Sequence, residues 1–289
     1  MDEYRKHLIA GEQAGGRFAL ATPQRAPMGA GGLHMSNLAG SSLEFRDHRE
    51  YQPGDDPRRI DWNAFARTDK LILKLYREEV SPHVDLLIDG SRSMALENSV
   101  KLEATLGLSA LFAVAAANAG FSHCGWLVKD GCRRLEGGSD RPSRWHGLEF
   151  DYNGDLAESL TRPGSGWRRR SIRLLVSDLL WLSSPMLTLR SLSKDASAVV
   201  VIQVLAAADV TPPKHGNLRL VDSETEVVRE VYVDEVAAER YKQALDGHLS
   251  GWNQACRQVG AQMVTVIAEE ILTDWQLEEL VAARILKVS

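Results

Sequence analysis

The 289-residue chain carries 34 Lys and Arg against 39 Asp and Glu, a formal net charge of -5, and is 44% apolar and 25% charged. Those proportions exclude a disordered or collagen-like chain, and the acidic balance argues against nucleic acid as the main ligand, because neutralising phosphates needs a basic face. The three cysteines, Cys124, Cys132 and Cys256, form no CxxC pair and no even set, which argues against a zinc ribbon or a disulfide framework and for a reducing, cytoplasmic setting.

In chain order, residues 1–10 read as a short helix. The Gly, Ala, Pro and Ser-rich stretch that follows, to residue 39, reads as a surface arm. The charged start MDEYRKHLIAGEQAGG has no apolar leader region, and no run reaches the roughly 18 apolar residues of a membrane span, so a soluble chain is expected. Residues 40–82 hold the turn signal Pro53-Gly54-Asp55-Asp56-Pro57, a short helix near Asp61–Arg67, and a strand marked by the alternation Leu71, Leu73, Leu75. Too few apolar residues lie there to make a core, so this segment is expected to pack as an extension on the remainder. Arg58, Asp61 and Arg67 read as a latch of ion pairs holding it there.

From residue 83 to 289 the pattern becomes α/β. The runs HVDLLID, HCGWLVKD, SIRLLVSD, AVVVIQVL and AQMVTVIA read as strands. SVKLEATLGLSALFAVAAANAG reads as a long apolar helix stopped by Gly120, and further helices are predicted near 153–161, 184–194, 235–258 and 274–285. This alternation implies a mostly parallel, Rossmann-like sheet with helices on both faces. CRRLEGG, LRLVDSE and VVREVYV look like edge hairpin strands. The basic run Arg168, Arg169, Arg170 solvates a strand entrance.

In such a sheet, ligands bind beyond the carboxyl ends of the strands. Asp89 closes VDLLID and Asp178 closes IRLLVSD, and a buried strand does not tolerate an unpaired carboxylate. Ser91 and Ser93 follow Asp89 in a strand-to-helix turn. Carboxylate and hydroxyl oxygens in this pattern suit a hard cation such as Mg2+, which takes oxygen ligands in near-octahedral geometry. The same serines equally suit the cap of the following helix, and Asp178 equally suits a hydrogen-bond hub.

The DxSxS pattern of Asp89, Ser91 and Ser93 resembles the metal-ion-dependent adhesion site of von Willebrand factor A domains. With EFRDHREYQPGDDPRRIDW, ARTDKL, DGSRSM, KLEATLGLSA and VSDLL, the chain from about Gly40 onward resembles the domain of unknown function 58 family, a bacterial branch of von Willebrand A-like proteins. YxPGDDxRxIDW is the most specific part of that match. The resemblance implies a metal site of Asp89, Ser91, Ser93 and Asp178, with a Thr from a middle loop. Here Asn153-Gly154-Asp155-Leu156 stands at that loop and puts Gly154, which has no hydroxyl, in the threonine's place. Three readings stay open: Asp155 reaches the ion, a water replaces the Thr, or the metal site has decayed while the loop geometry survives.

The resemblance also implies a non-catalytic adaptor acting beside a MoxR-type AAA+ ATPase on a client protein. The competing reading is a serine hydrolase, because Ser91, Asp178 and His215 follow the order Ser, Asp, His. Against it, an elbow nucleophile wants small residues two positions to either side, and Ser91 has Asp89 there. A nucleotide-binding enzyme is disfavoured, because neither GxxxxGK[ST] nor GxGxxG after a strand occurs.

Overall fold

The computed structural model describes residues 2–21, 44–52, 55, 57, 60–77, 82–162, 166–211, 216–222 and 227–289. The chain divides into two compact units, one of Met1–His34 with Pro82–Ser289 and one of Met35–Ser81.

The larger unit opens with α1 (Asp2–Gly15) and β1 (Phe18–Leu20). The helix runs five residues beyond the predicted end, and β1 lies in the predicted arm. Both were obscured by Gly11, Gly15 and Gly16, which read as loop signals. Packing explains two of them. A Cβ on Gly11 would stand 2.0 Å from the carbonyl oxygen of Gly107, and one on Gly15 would stand 2.8 Å from that of Leu111. Gly107 and Leu111 belong to α3 (Lys101–Asn118), so the glycines let two helix backbones approach closely. Gly11→Ala is expected to lower stability by about 1–3 kcal/mol through overpacking, read as a shift of the urea midpoint.

The smaller unit holds β2 (Glu44–Glu50), α2 (Trp62–Thr68) and β3 (Ile72–Arg77). The two strands pair antiparallel with Glu50 opposite Ile72. Strand β2 was missed because its residues, EFRDHRE, are mostly charged and show no apolar alternation. Of the expected latch residues, Asp61 and Arg67 make local contacts on α2. One Asp61 carboxylate oxygen accepts the N–H groups of Asn63 and Ala64 and caps α2, and Arg67 Nε donates to the carbonyl of Asn63. An ion pair in this unit joins Arg49 to Asp55 at 2.6 Å. The backbone N–H of Gln52 and the Arg49 guanidinium hold the Asp55 carboxyl below its ordinary range. Pro53, Gly54, Asp56 and Arg58 lie outside the described residues.

In the larger unit the chain continues through β4 (His83–Asp89), α3, β5 (Ser122–Val128), β6 (Cys132–Arg134), α4 (Leu156–Thr161), β7 (Ile172–Ser177), α5 (Pro185–Ser193) and β8 (Ala198–Leu205). Then come α6 (Ala207–Val210), β9 (Gly216–Val221), β10 (Val228–Val233), α7 (Glu235–Val259), β11 (Gln262–Ile267), α8 (Ala268–Asp274), α9 (Glu278–Ala282) and β12 (Leu286–Val288). Six strands form the central sheet in the order β11-β8-β7-β4-β5-β6, all parallel except β6.

Alternate residues of β4 feed two cores. Val84, Leu86 and Ile88 join the layer of α3, while Leu87 joins Leu175, Val201 and Trp252 on the opposite side. Helix α3 is apolar all round because α1 and α8 cover the side turned from the sheet.

Three features depart from expectation. Of the predicted 274–285 helix only α9 forms, and a further helix, α8, precedes it and is ended by Trp275 in the left-handed conformation, φ 51°. Strand β12 pairs with β1, tying the described C-terminal end to the N-terminal region. Strands β9 and β10 form a two-stranded sheet of their own instead of edging the central one.

A buried carboxylate inside β4 was also missed. Asp85 is fully buried and accepts hydrogen bonds from Trp126 Nε1 at 2.9 Å, Ser171 Oγ at 2.6 Å and the Arg168 N–H at 3.2 Å, with His83 Nε2 at 3.4 Å. Burial opposes its ionisation, but His83, Ser171 and Trp126 outweigh that and hold the carboxyl below its ordinary range. A depressed folded-state pKa adds stability that is present above the unfolded value of about 3.9 and is lost as pH falls through the folded value. Asp85→Asn should therefore flatten the dependence of stability on pH below about 4, seen in urea titrations across that window.

Candidate functional site

Counted along the chain, the strands of the central sheet are ordered 3-2-1-4-5-6, with the switch point between β4 and β7. There the connections leave in opposite directions and open a crevice at the carboxyl ends. Asp89 ends β4 and Asp178 directly follows β7, so both predicted acids lie at the mouth of that crevice.

The loop after β4 is built from its own backbone outward. Asp89 is fully buried; one carboxylate oxygen accepts the Ser91 N–H at 2.7 Å and the other accepts Ser177 Oγ at 2.5 Å. Ser93 Oγ donates to Asp178 Oδ2 at 2.9 Å. The Ser93 proton is thereby committed, so in the 3.0 Å contact between Ser91 Oγ and Ser93 Oγ the donor is Ser91. A 3-10 turn, Arg92–Ala95, follows, and neither serine makes the side-chain cap that the sequence left open. The predicted middle loop lies alongside: Tyr152 N–H donates to the Gly90 carbonyl, and Arg92 N–H donates to that of Tyr152.

Asp178 is a hub as well as a strand-end acid. Its Oδ1 accepts the Leu180 N–H, and its carbonyl accepts Gln203 Nε2, which Thr265 orients by donating to Gln203 Oε1. Leu179, at φ 58°, takes the left-handed turn that redirects the chain, and His248 Nε2 of α7 donates to its carbonyl at 2.8 Å.

The residue not anticipated as part of the site is Lys101, the first residue of α3. Its side chain is buried, and Nζ lies 3.0 Å from Asp178 Oδ2 and 3.3 Å from Asp209 Oδ2. A single lysine opening a largely apolar helix was the available signal. Burial alone would lower the lysine pKa, but attraction by Asp178 and Asp209 prevails and raises it, keeping the ammonium charged. Burial, followed by the nearby Asp178 carboxylate, lifts the Asp89 carboxyl to about 7, against the opposing effect of the Ser177 and Ser91 hydrogen bonds.

The structure thus brings Asp89, Ser91, Ser93 and Asp178 into one network, while Asp155 does other work. Asp155 caps α4 by accepting the Ala157 N–H at 2.8 Å, and its second oxygen accepts Ser183 Oγ. A Cβ on Gly154 would stand 2.3 Å from the hydroxyl oxygen of Tyr152, so the tyrosine fills the space a threonine would enter. Gly154→Thr is expected to cost about 1–3 kcal/mol in ion-free buffer as Tyr152 is displaced, visible as a lowered thermal midpoint.

A divalent cation needs oxygen donors free to face it. Both Asp89 oxygens, both Asp155 oxygens and Asp178 Oδ2 already receive donors of the protein, and the last of these holds an ammonium. No group of three or more His, Cys, Asp or Glu that could hold a metal is found among the described residues. The donor set as arranged does not fit Mg2+. His215, the proposed base of the hydrolase reading, lies outside the described residues.

Comparison with known proteins assigns the family. The model of "Protein of unknown function DUF58" matches residues 47–138 and 148–250. The chain belongs to the DUF58 family. It is 28% identical over 259 residues to the uncharacterized protein Rv1480 of Mycobacterium tuberculosis, covering 84% of this chain and 80% of that one. An uncharacterized protein of Mycobacterium bovis matches to the same extent, and one of Mycobacterium avium is 31% identical over 124 residues, 42% of this chain and 70% of its own.

Among solved structures, BatB of Bacteroides thetaiotaomicron aligns with TM-score 0.33 at 11% identity, covering 70% of this chain and 98% of that one. An aerotolerance-related membrane protein of Bacteroides fragilis aligns with TM-score 0.33 at 12% identity, covering 69% and 98%. The mixed α/β architecture rests on the strand order above. Among the described residues, no helix is long and apolar enough to cross a membrane.

Proposed function

We propose that this DUF58 chain is a non-catalytic, von Willebrand A-like adaptor that docks a protein partner on the carboxyl end of its sheet. The observation that carries this reading is the pairing of a closed polar network with exposed leucines on the same loops. Leu182 is fully exposed, and Leu180 and Leu96 are exposed too; they follow Asp178 and the 3-10 turn after Ser91. Exposed leucines grouped around a polar centre suit a protein interface better than a small-molecule pocket. The strand order and the strand-end acids support the von Willebrand A-like assignment.

Ser91 directs its proton to Ser93, and that relay ends on Asp178, which Lys101 already engages. Among the described residues, no side chain stands to Ser91 as the oriented base that an activated serine needs. The partner proposed from the family resemblance is a MoxR-type AAA+ ATPase, with the pair acting in the assembly or maturation of client proteins.

The test is titration calorimetry of the purified chain against a MoxR-type AAA+ ATPase from the same genome. Leu182→Asp with Leu180→Asp should weaken binding by about tenfold or more, on the scale of a lost interface anchor, with the thermal midpoint retained. Wild-type affinity in the double variant would remove the face from consideration, and labelling of Ser91 by a serine-reactive phosphonate would replace the adaptor reading with the hydrolase.

A further inference from the structure

We infer that Lys101 is the resident cation of the strand-end site, its ammonium balancing the Asp178 and Asp209 carboxylates in the role that a divalent ion fills in metal-dependent DxSxS sites. The inference deepens the docking proposal, because it makes the face independent of metal; its test uses no partner and so stands or falls separately.

Three observations support it. The ammonium is tethered, buried and placed between two carboxylates, at 3.0 and 3.3 Å, so a positive charge is supplied by the fold itself. A divalent ion ligated by Asp178 would share its carboxylate with that ammonium and meet like-charge repulsion in a site with little water to screen it. The space of the missing threonine hydroxyl is closed by Tyr152, and Asp155, the acid next to Gly154, is committed to the α4 cap and Ser183.

The arrangement also explains how Ser91 and Ser93 are oriented. Both hydroxyls donate in series toward Asp178, the carboxylate that Lys101 holds. An ammonium is a compact point charge on a flexible stem, able to meet two acceptors without the strict geometry that Mg2+ demands.

Mn2+ binding followed by electron paramagnetic resonance, together with thermal melts in EDTA and in millimolar Mg2+ or Mn2+, tests the inference on the full chain. The wild type should show no saturable Mn2+ binding and the same thermal midpoint in all three buffers. Lys101→Met should gain Mn2+ affinity by about tenfold or more, since removing the ammonium leaves two carboxylates facing a vacated charge site. The gain should disappear when Asp178→Asn is added. One tight Mn2+ in the wild type, abolished by Asp89→Asn, would overturn the inference, as would a folded Lys101→Met chain with no gain. If Lys101→Met folds only with Mn2+ present, the inference is upheld; if it folds in neither buffer, the wild-type titration decides, with binding overturning the inference and its absence upholding it.

Discussion

In EDTA near neutral pH, Lys101→Met should lower the stability of the chain by about 3–5 kcal/mol, the cost of orphaning one member of a buried ion pair. Lys101 is 1% exposed and Asp178 is 1% exposed, so water cannot take over the lost charge. Asp178 would keep the Ser93 and Leu180 donors but lose its cation, and it stands near Asp89, whose carboxyl burial already pushes above its ordinary range. Urea unfolding of the single variants and of Lys101→Met with Asp178→Asn gives the coupling directly. The double variant should recover part of the loss, because it removes the uncompensated charge. A Lys101→Met loss below about 1 kcal/mol would place the pair in the class of surface salt bridges and contradict its burial.

Trp252→Ala should cost a similar amount, about 3–5 kcal/mol, as expected for a large aromatic removed from a packed core. Trp252 is fully buried near the end of α7, with its ring edge-on to Trp181 at 5.5 Å between centroids. Trp181 lies between Leu180 and Leu182, so this contact fixes the loop that carries the exposed leucines. Trp252→Phe should lose less, because it keeps an aromatic face against Trp181. Urea unfolding measures both losses. A stable Trp252→Ala chain with partner affinity unchanged would show that the aromatic pair neither supports the core nor positions the loop.

Both variants test contacts made across the chain rather than along it, and the same division separates what was legible in the sequence from what was not. VDLLID and IRLLVSD are mostly apolar runs ended by a carboxylate, each interrupted once near its start, by Asp85 and by Arg173, and that density of apolar residues is what a parallel strand buried on both faces requires. The run of α3, the DxSxS turn and the helical stretch of α7 are also local, and all took their expected places. The predicted acids and serines met because the strand-end position of each follows from its own strand.

Lys101 lies 77 residues from Asp178 in the chain, Ser177 lies 88 from Asp89, and Ser93 lies 85 from Asp178. No periodicity reports such pairings; they arise when β7 docks beside β4 and the start of α3 is carried to the mouth of the same crevice. The blocking of Gly154 by Tyr152 and the diversion of Asp155 to a helix cap belong to the same class. There the sequence shows only that an oxygen donor is missing. Likewise β1 and β12 are too short to read alone and become strands by pairing with each other.

The sequence by itself determined the α/β alternation, the two acidic strand ends and the hydroxyl-bearing turn, because local burial and turn chemistry dictate them. Only the tertiary structure decided which cation faces Asp178, because a buried charge is balanced by whatever group the folded chain places within reach, and here that group is the ammonium of Lys101.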